Sequence, residues 1–289
     1  MAALISMVGC ASLFGIHDPV AAGGDGGADG RDGDAPDAGL DAPSDGGTVS
    51  GAPLLLSEVV LAPSDGELIE IVNTSGQAVD LSSFFVTDSG SYFRLPGGVP
   101  VLDGGDFIAK FPAGASVPAH GIVTIALATE ADFVTNYGIA PTFSIASATM
   151  AVVAVNGVPS LTSGGEVIVL FFWDGNSDLV SDGDILLAGS PSAGNSLIDK
   201  SGILLDGPDA DAQTSAYAID ANTLTIQAGT PGPSRSTKRI GIEVGHETQE
   251  GVGNGLDGHD ETTESSAATW DSVAFSIPTP GAVPPALLP

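Results

Sequence analysis

The sequence predicts an all-β fold, a β-sandwich behind a non-globular N-terminal arm, on three observations. Short apolar runs recur from Leu54 onward, each closed by Gly, Pro, Asp or Asn, which is strand-and-turn punctuation. In Glu67-Leu68-Ile69-Glu70-Ile71-Val72, the residues Ile69 and Ile71 share a face opposite Glu70, the period of two of a half-buried strand. No stretch of comparable length carries a sustained helical stripe.

The expected elements follow in order. Leu54–Leu61 ends at Pro63, and Glu67–Asn73 opens after Gly66. Phe84–Asp88 closes before Gly90, Asp106–Phe111 lies between Gly105 and Pro112, and Gly121–Ala128 begins after Pro118. Thr129–Tyr137, stopped by Gly138, is the candidate short helix. Glu166–Phe172 and Asp184–Ala188 are separated by the Asp- and Gly-rich segment 174–183. Thr223–Gln227, Arg239–Val244 and Ser272–Ile277 complete a set of roughly eight to ten short strands, the density of a sandwich.

The charge balance excludes several classes of function. The chain has 289 residues with 36 Asp and Glu against 7 Lys and Arg, a net charge of −29. Residues 1–52 hold 8 Asp and 1 Arg, or −7, which leaves −22 for the rest. Nucleic-acid affinity comes largely from neutralising phosphates with Lys and Arg, so a polyanion of this kind is expected to bind no nucleic acid. The same charge opposes docking on anionic head groups, and suits a solvated exterior or a divalent cation. No run of 18 apolar residues occurs, and a membrane is expected to be met only through an N-terminal anchor. With one cysteine there is no disulfide framework; at 43% hydrophobic residues the domain can rely on core burial.

That cysteine, Cys10, ends the apolar run Ala2-Ala3-Leu4-Ile5-Ser6-Met7-Val8-Gly9 and resembles a bacterial lipoprotein processing site. The resemblance implies a signal peptide over 1–10, lipidation of Cys10, and an exported protein at the outer membrane or cell surface, since Ala11 rather than Asp follows. No Lys or Arg precedes Cys10, unlike an ordinary signal peptide; the plainer alternative is a free thiol in a frayed terminus. Residues 11–52, mostly Gly, Asp, Ala, Pro and Ser, read as a disordered, self-repelling linker.

Leu56-Ser57-Glu58-Val59-Val60, Leu68-Ile69-Glu70-Ile71-Val72-Asn73 and Asp80-Leu81-Ser82-Ser83-Phe84 resemble, in order, the opening motifs of the lamin-tail domain family. So do Val117-Pro118-Ala119-His120-Gly121, Gly164-Gly165-Glu166-Val167-Ile168-Val169-Leu170 and the closing Pro278-Thr279-Pro280-Gly281. Phe84 stands where the family has Trp, and a stretch of roughly 189–232 is inserted. The resemblance implies an immunoglobulin-like β-sandwich over 53–282, followed by a tail at 283–289. It also implies a non-catalytic binding or adaptor module, whose partner is expected to be an envelope or extracellular macromolecule. The alternative is an exported hydrolase acting on carbohydrate or phosphoester through its acidic loops.

The residues that invite chemistry are acidic turns. Asp174, Asn176 and Asp178 begin like an EF-hand loop, with Asp182 following, and this oxygen-rich set is the candidate Ca²⁺ site. Leu179 and Ile185 stand where that loop needs Gly and Glu, and solvated hairpin turns are the commoner reading. The same holds for Asp257-Gly258-His259-Asp260-Glu261 with Glu264, and for Asp206-Gly207-Pro208-Asp209-Ala210-Asp211. The histidines His17, His120, His246 and His259 lack zinc-ligand spacing. No nucleophile elbow or phosphate loop occurs, and no catalytic residue is assigned. Trp173 and Trp270 are the candidates for sugar stacking, against the commoner reading of core residues.

Overall fold

The computed structural model describes residues 53–189, 198–220, 228–242, 253–258 and 260–287. Cys10, the 11–52 linker, the expected strand Thr223–Gln227, His246 and His259 lie outside the described residues.

The strands are β1 (Leu54–Val60), β2 (Leu68–Asn73), β3 (Val79–Asp80), β4 (Phe84–Thr87), β5 (Phe107–Lys110), β6 (Ser116–Val117) and β7 (Ile122–Ala126). After helix α1 (Glu130–Tyr137) come β8 (Phe143–Ser144), β9 (Ala151–Val155), β10 (Gly165–Phe172), β11 (Ser181–Gly189), β12 (Leu204–Leu205), β13 (Ser215–Ala216) and β14 (Thr237–Lys238). A front sheet runs β14-β1-β2-β7-β8 and a back sheet β11-β10-β4-β5-β9; β12-β13 and β3-β6 are small separate pairs. Pairing is antiparallel except between β7 and β8. The chain is an all-β sandwich.

Alternation builds the core. Leu54, Leu56, Val59, Ile69, Ile71, Val123 and Ile125 of the front sheet face Phe84, Val86, Phe107, Ala109, Ile168, Leu170 and Leu186 of the back sheet, with Trp270 among them. Burying such side chains stabilises by roughly 1.5–3 kcal/mol each.

The outer faces are covered as well, which departs from the expected half-buried strands. Every residue of β2 is buried, Glu70 included. Glu70 accepts hydrogen bonds from the Ser57 hydroxyl and the Gly281 amide, because the C-terminal segment lies over this face. That segment continues past the expected domain end at 282: Leu287 packs on Leu55 and Val72. Helix α1 covers the neighbouring part of the same face, with Phe133 against Val60, Leu68 and Ala126. Thr129 caps its N-terminus by accepting from the Asp132 amide, and Gly138 ends it at φ +74°, a conformation that favours glycine.

On the outer face of the back sheet, the insertion builds a second core. Phe85, Tyr92, Ile108, Val167, Val169, Phe171 and Ile185 pack with Ile198, Leu205 and Tyr217, and Trp173 lies against them. Within the stretch expected as an insertion, the described residues 198–220 thus form a packed layer that includes the β12–β13 pair.

At the C-terminal side, the expected strand Arg239–Val244, whose residues 243 and 244 lie outside the described residues, shows over 239–242 one bridge, Arg239 with Trp270, beside β14, and Ser272–Ile277 shows one, Ser276 with Ser236. Strand β9 was not expected. Its run Ala-Val-Val-Ala-Val lacks polar alternation, and it forms the outer edge of the back sheet.

Candidate functional site

Asp182 and Asp184 of the first acidic segment enter two buried charge clusters, one on each face of β11. A bulge decides this. Asp184 pairs with Leu170 but Asp182 pairs with Phe171, the register slipping between them. Residues two apart on a regular strand share a face; the extra residue Gly183 turns Asp182 and Asp184 to opposite faces. A Cβ on Gly183 would lie 3.1 Å from the Leu170 carbonyl oxygen, so the bulge suits glycine.

On the outer face, Lys200 Nζ lies 2.8 Å from Asp182 Oδ2 and 3.4 Å from Asp220 Oδ2, with all three side chains at or below 1% exposure. The Tyr92 hydroxyl donates to Asp182 Oδ1. Asp220 accepts from the Lys200 amide at 2.5 Å and from Asn254 Nδ2 at 2.6 Å. Burial pushes the Asp182 carboxyl up, against the pull of Lys200, and pushes the Tyr92 hydroxyl well above its usual value, helped by the Asp182 charge.

On the inner face, Arg239 is fully buried. Its NH2 group donates to both oxygens of Asp184 at 2.6 and 2.7 Å, NH1 donates to Glu264 at 2.8 Å, and Nε donates to the Leu56 carbonyl at 2.8 Å. Its guanidinium lies 5.1 Å from the Trp270 ring centre. Asp184 also accepts from the Leu56 amide at 2.5 Å. Burial raises its carboxyl to about 7 even with Arg239 opposing the rise. Removing one partner of such a pair costs about 3–5 kcal/mol, because the other charge stays buried.

The four expected calcium ligands are placed apart in role. Asp174 closes its own turn, its Oδ1 accepting from the amides of Asn176 and Ser177 and from the Ser177 hydroxyl at 2.8 Å. These bonds outweigh its burial and hold its carboxyl below the usual range. Asn176 is exposed in that turn. Asp178 reaches the insertion, accepting from the Ser215 hydroxyl and the Gly207 amide at 2.7 Å, and both bonds lower its carboxyl. Asp182 is engaged with Lys200.

Among the described residues, two carboxylate triads bring oxygens within 4.8 Å of one another. Asp178, Asp206 and Asp209 form one; Asp184, Glu261 and Glu264, around Arg239, form the other. The first joins two of the acidic turns and retains Asp178 alone of the expected set. His120 is exposed at φ 54° on the β6–β7 turn. Trp270 is fully buried, and Trp173, partly buried, donates its Nε1–H to the Ser177 carbonyl at 2.8 Å.

A further acidic group lies at the β4–β5 end of the back sheet. Asp88 accepts from the Phe107 amide at 2.7 Å, and burial, with Glu166 nearby, lifts its carboxyl to about 9. Burial lifts Glu166 to about 7.

A scan of protein-family models finds no match, and neither does a search of curated proteins. Among solved structures, the chain is similar to the crystal structure of a DUF4876 family protein from Bacteroides thetaiotaomicron. That similarity has 12% identity and a TM-score of 0.40, over 81% of this chain and 75% of that one. None of these comparisons indicates an enzymatic activity.

Proposed function

We propose that the protein is a non-catalytic binding module, carried outside the cell on a lipid anchor at Cys10, that takes an extended polypeptide along the edge strand β9. One observation carries this reading: β9 is an apolar, uncharged sheet edge on an otherwise strongly acidic chain. Val152, Val153 and Val155 are 37%, 46% and 45% exposed. No charged residue or histidine occurs between Asp132 and Glu166. Sheet edges are usually protected by Lys, Pro or a covering segment. Among the described residues the edge strand here carries none of these, although a bulge in its pairing with β5 falls at Val153. Strand addition supplies main-chain hydrogen bonds at such an edge, and side-chain pockets supply selectivity. The acidic surroundings favour a partner that is neutral along the strand and basic at its flanks.

The hydrolase alternative needs convergent, accessible titratable groups in a concave site. Asp182, Asp184, Asp220 and Glu264 are instead buried against Lys200 or Arg239. The lamin-tail resemblance supports the same adaptor reading. Calcium enters as a second reading at the loops, through Asp178, Asp206 and Asp209.

The test is capture from envelope extract on the full chain carrying Cys10→Ser, with and without Val153→Lys and Val155→Lys. A protein retained by the parent edge and lost from the lysine variant supports the reading. Identical capture by both, with both folded, overturns the assignment of β9.

A further inference from the structure

Lys200 stands in a setting made for chemistry that the binding function does not use. It is fully buried, in contact with two buried carboxylates and the Tyr92 hydroxyl, and its Nζ lies 5.8 Å from the Tyr92 ring centre. Lys200, Asp182, Tyr92, Asp220 and Asn254 come from five separate segments, so the arrangement exists only in the folded chain.

We propose that Lys200 and Asp182 condense within the folded chain to an intramolecular amide, with Asp220 as the proton carrier. The pair starts as ammonium and carboxylate. Asp220, 3.4 Å from Nζ, takes one Nζ proton, and the freed amine attacks Cγ of Asp182. The charge that develops on Oδ1 is met by the Tyr92 hydroxyl, already hydrogen bonded there, in the manner of an oxyanion donor. Oδ2 collects the proton held by Asp220 and a second one from Nζ. The Cγ–Oδ2 bond breaks and water leaves; the Nζ–Cγ bond remains with one proton on nitrogen. Asp220 ends as it began, and no oxidant or other reactant is consumed.

Three features favour the step. Held reactants gain effective molarities on the order of 10⁵ M or more. Burial destabilises the separated charges that the amide replaces, consistent with the raised Asp182 carboxyl. Two donors, the Lys200 amide and Asn254 Nδ2, fix Asp220 beside Nζ. The remaining buried pair uses Arg239, whose guanidinium does not deprotonate in proteins. Lys238 by contrast sits 3.5 Å from Glu58 with its side chain 21% exposed, where water competes. The product would tie the insertion covalently to β11.

Trypsin reads the bond directly. In the denatured full chain, cleavage after Lys110, Lys200 and Arg235 releases 111–200 and 201–235 when Lys200 is free. The amide predicts no cleavage after Lys200, and one peptide 111–235 lighter by one water, whose fragmentation joins residues 182 and 200. Lys200→Arg is expected to restore cleavage at that position and the unreduced mass. Asp220→Ala is expected to leave Lys200 cleavable while the protein remains folded by circular dichroism. Release of 111–200 at its unreduced mass from the folded, untreated parent overturns the proposal, whatever the variants do.

Discussion

The Lys200 ammonium and the Asp182 carboxylate meet at 2.8 Å with exposures of 0% and 1%, and this contact fastens the insertion to the outer face of the sandwich. Replacing Lys200 with Met fills the space but removes the cation, and with it the amide proposed above, leaving Asp182 and Asp220 buried and unmatched. The expected loss is about 3–5 kcal/mol, measured as a lower urea midpoint. A loss below about 1 kcal/mol, the value of an exposed pair, would mean that the contact fastens nothing.

Stability should fall as pH rises. Glu67, Glu70 and Glu166 are lifted to about 7 from 4.5, and Asp88 to about 9 from 3.8, in each case first by burial. Between the unfolded and folded values, the native chain holds protons that the unfolded chain has released. The slope of stability against pH is therefore negative. The stabilisation is complete below the unfolded values and is lost from about pH 4.5 to 7 for the glutamates and on to about pH 9 for Asp88. Asp80, Asp174, Asp178 and Asp199, held below the usual carboxylate range by hydrogen bonds, act oppositely and withdraw support only as pH falls below about 4. Urea midpoints should be higher at about pH 5 than at about pH 8, and Asp88→Asn should flatten the alkaline part of the slope. A midpoint that rises from pH 5 to pH 8 contradicts this assignment.

If calcium binds at the joined loops, millimolar Ca²⁺ should raise the thermal midpoint by several degrees and equal Mg²⁺ should not. Asp206→Asn and Asp209→Asn should remove the effect, whereas Asn176→Ala should not, since Asn176 is exposed in the turn that Asp174 closes. Equal responses to both cations point to charge screening, and the loops are then turns only.

Strands β1, β2, β4, β5, β7, β10 and β11 were legible because turn residues close their apolar runs, with alternation adding to this in β2 and length with two phenylalanines in β10. The charge clusters were not. Asp182-Gly183-Asp184 reads as a turn, yet its glycine is a bulge inside β11. Its cations stand at 200 and 239, beyond any local pattern. The available signal was scarcity: with 7 Lys and Arg among 289 residues, two spent in the interior imply buried acids to meet them. Glu70 was placed on a solvent face because alternation reveals a second face but not what covers it. Here the cover is the chain's own Gly281. Strand β9 escaped because an uninterrupted apolar run of five has no period.

The sandwich core and the insertion core are expected to fold as one unit clamped through β11, with the acidic residues of that strand serving structure. Each core contains one tryptophan, Trp270 between the sheets and Trp173 beside the insertion. Equilibrium urea unfolding of Trp173→Phe and Trp270→Phe, followed by the fluorescence of the tryptophan that remains, reports each core separately. Once each variant is aligned on its own circular-dichroism transition, both fluorescence curves are expected to fall on it. A Trp173 signal lost at clearly lower urea than the circular dichroism, with the Trp270 signal intact, would show instead an insertion that unfolds alone, with no clamp through β11.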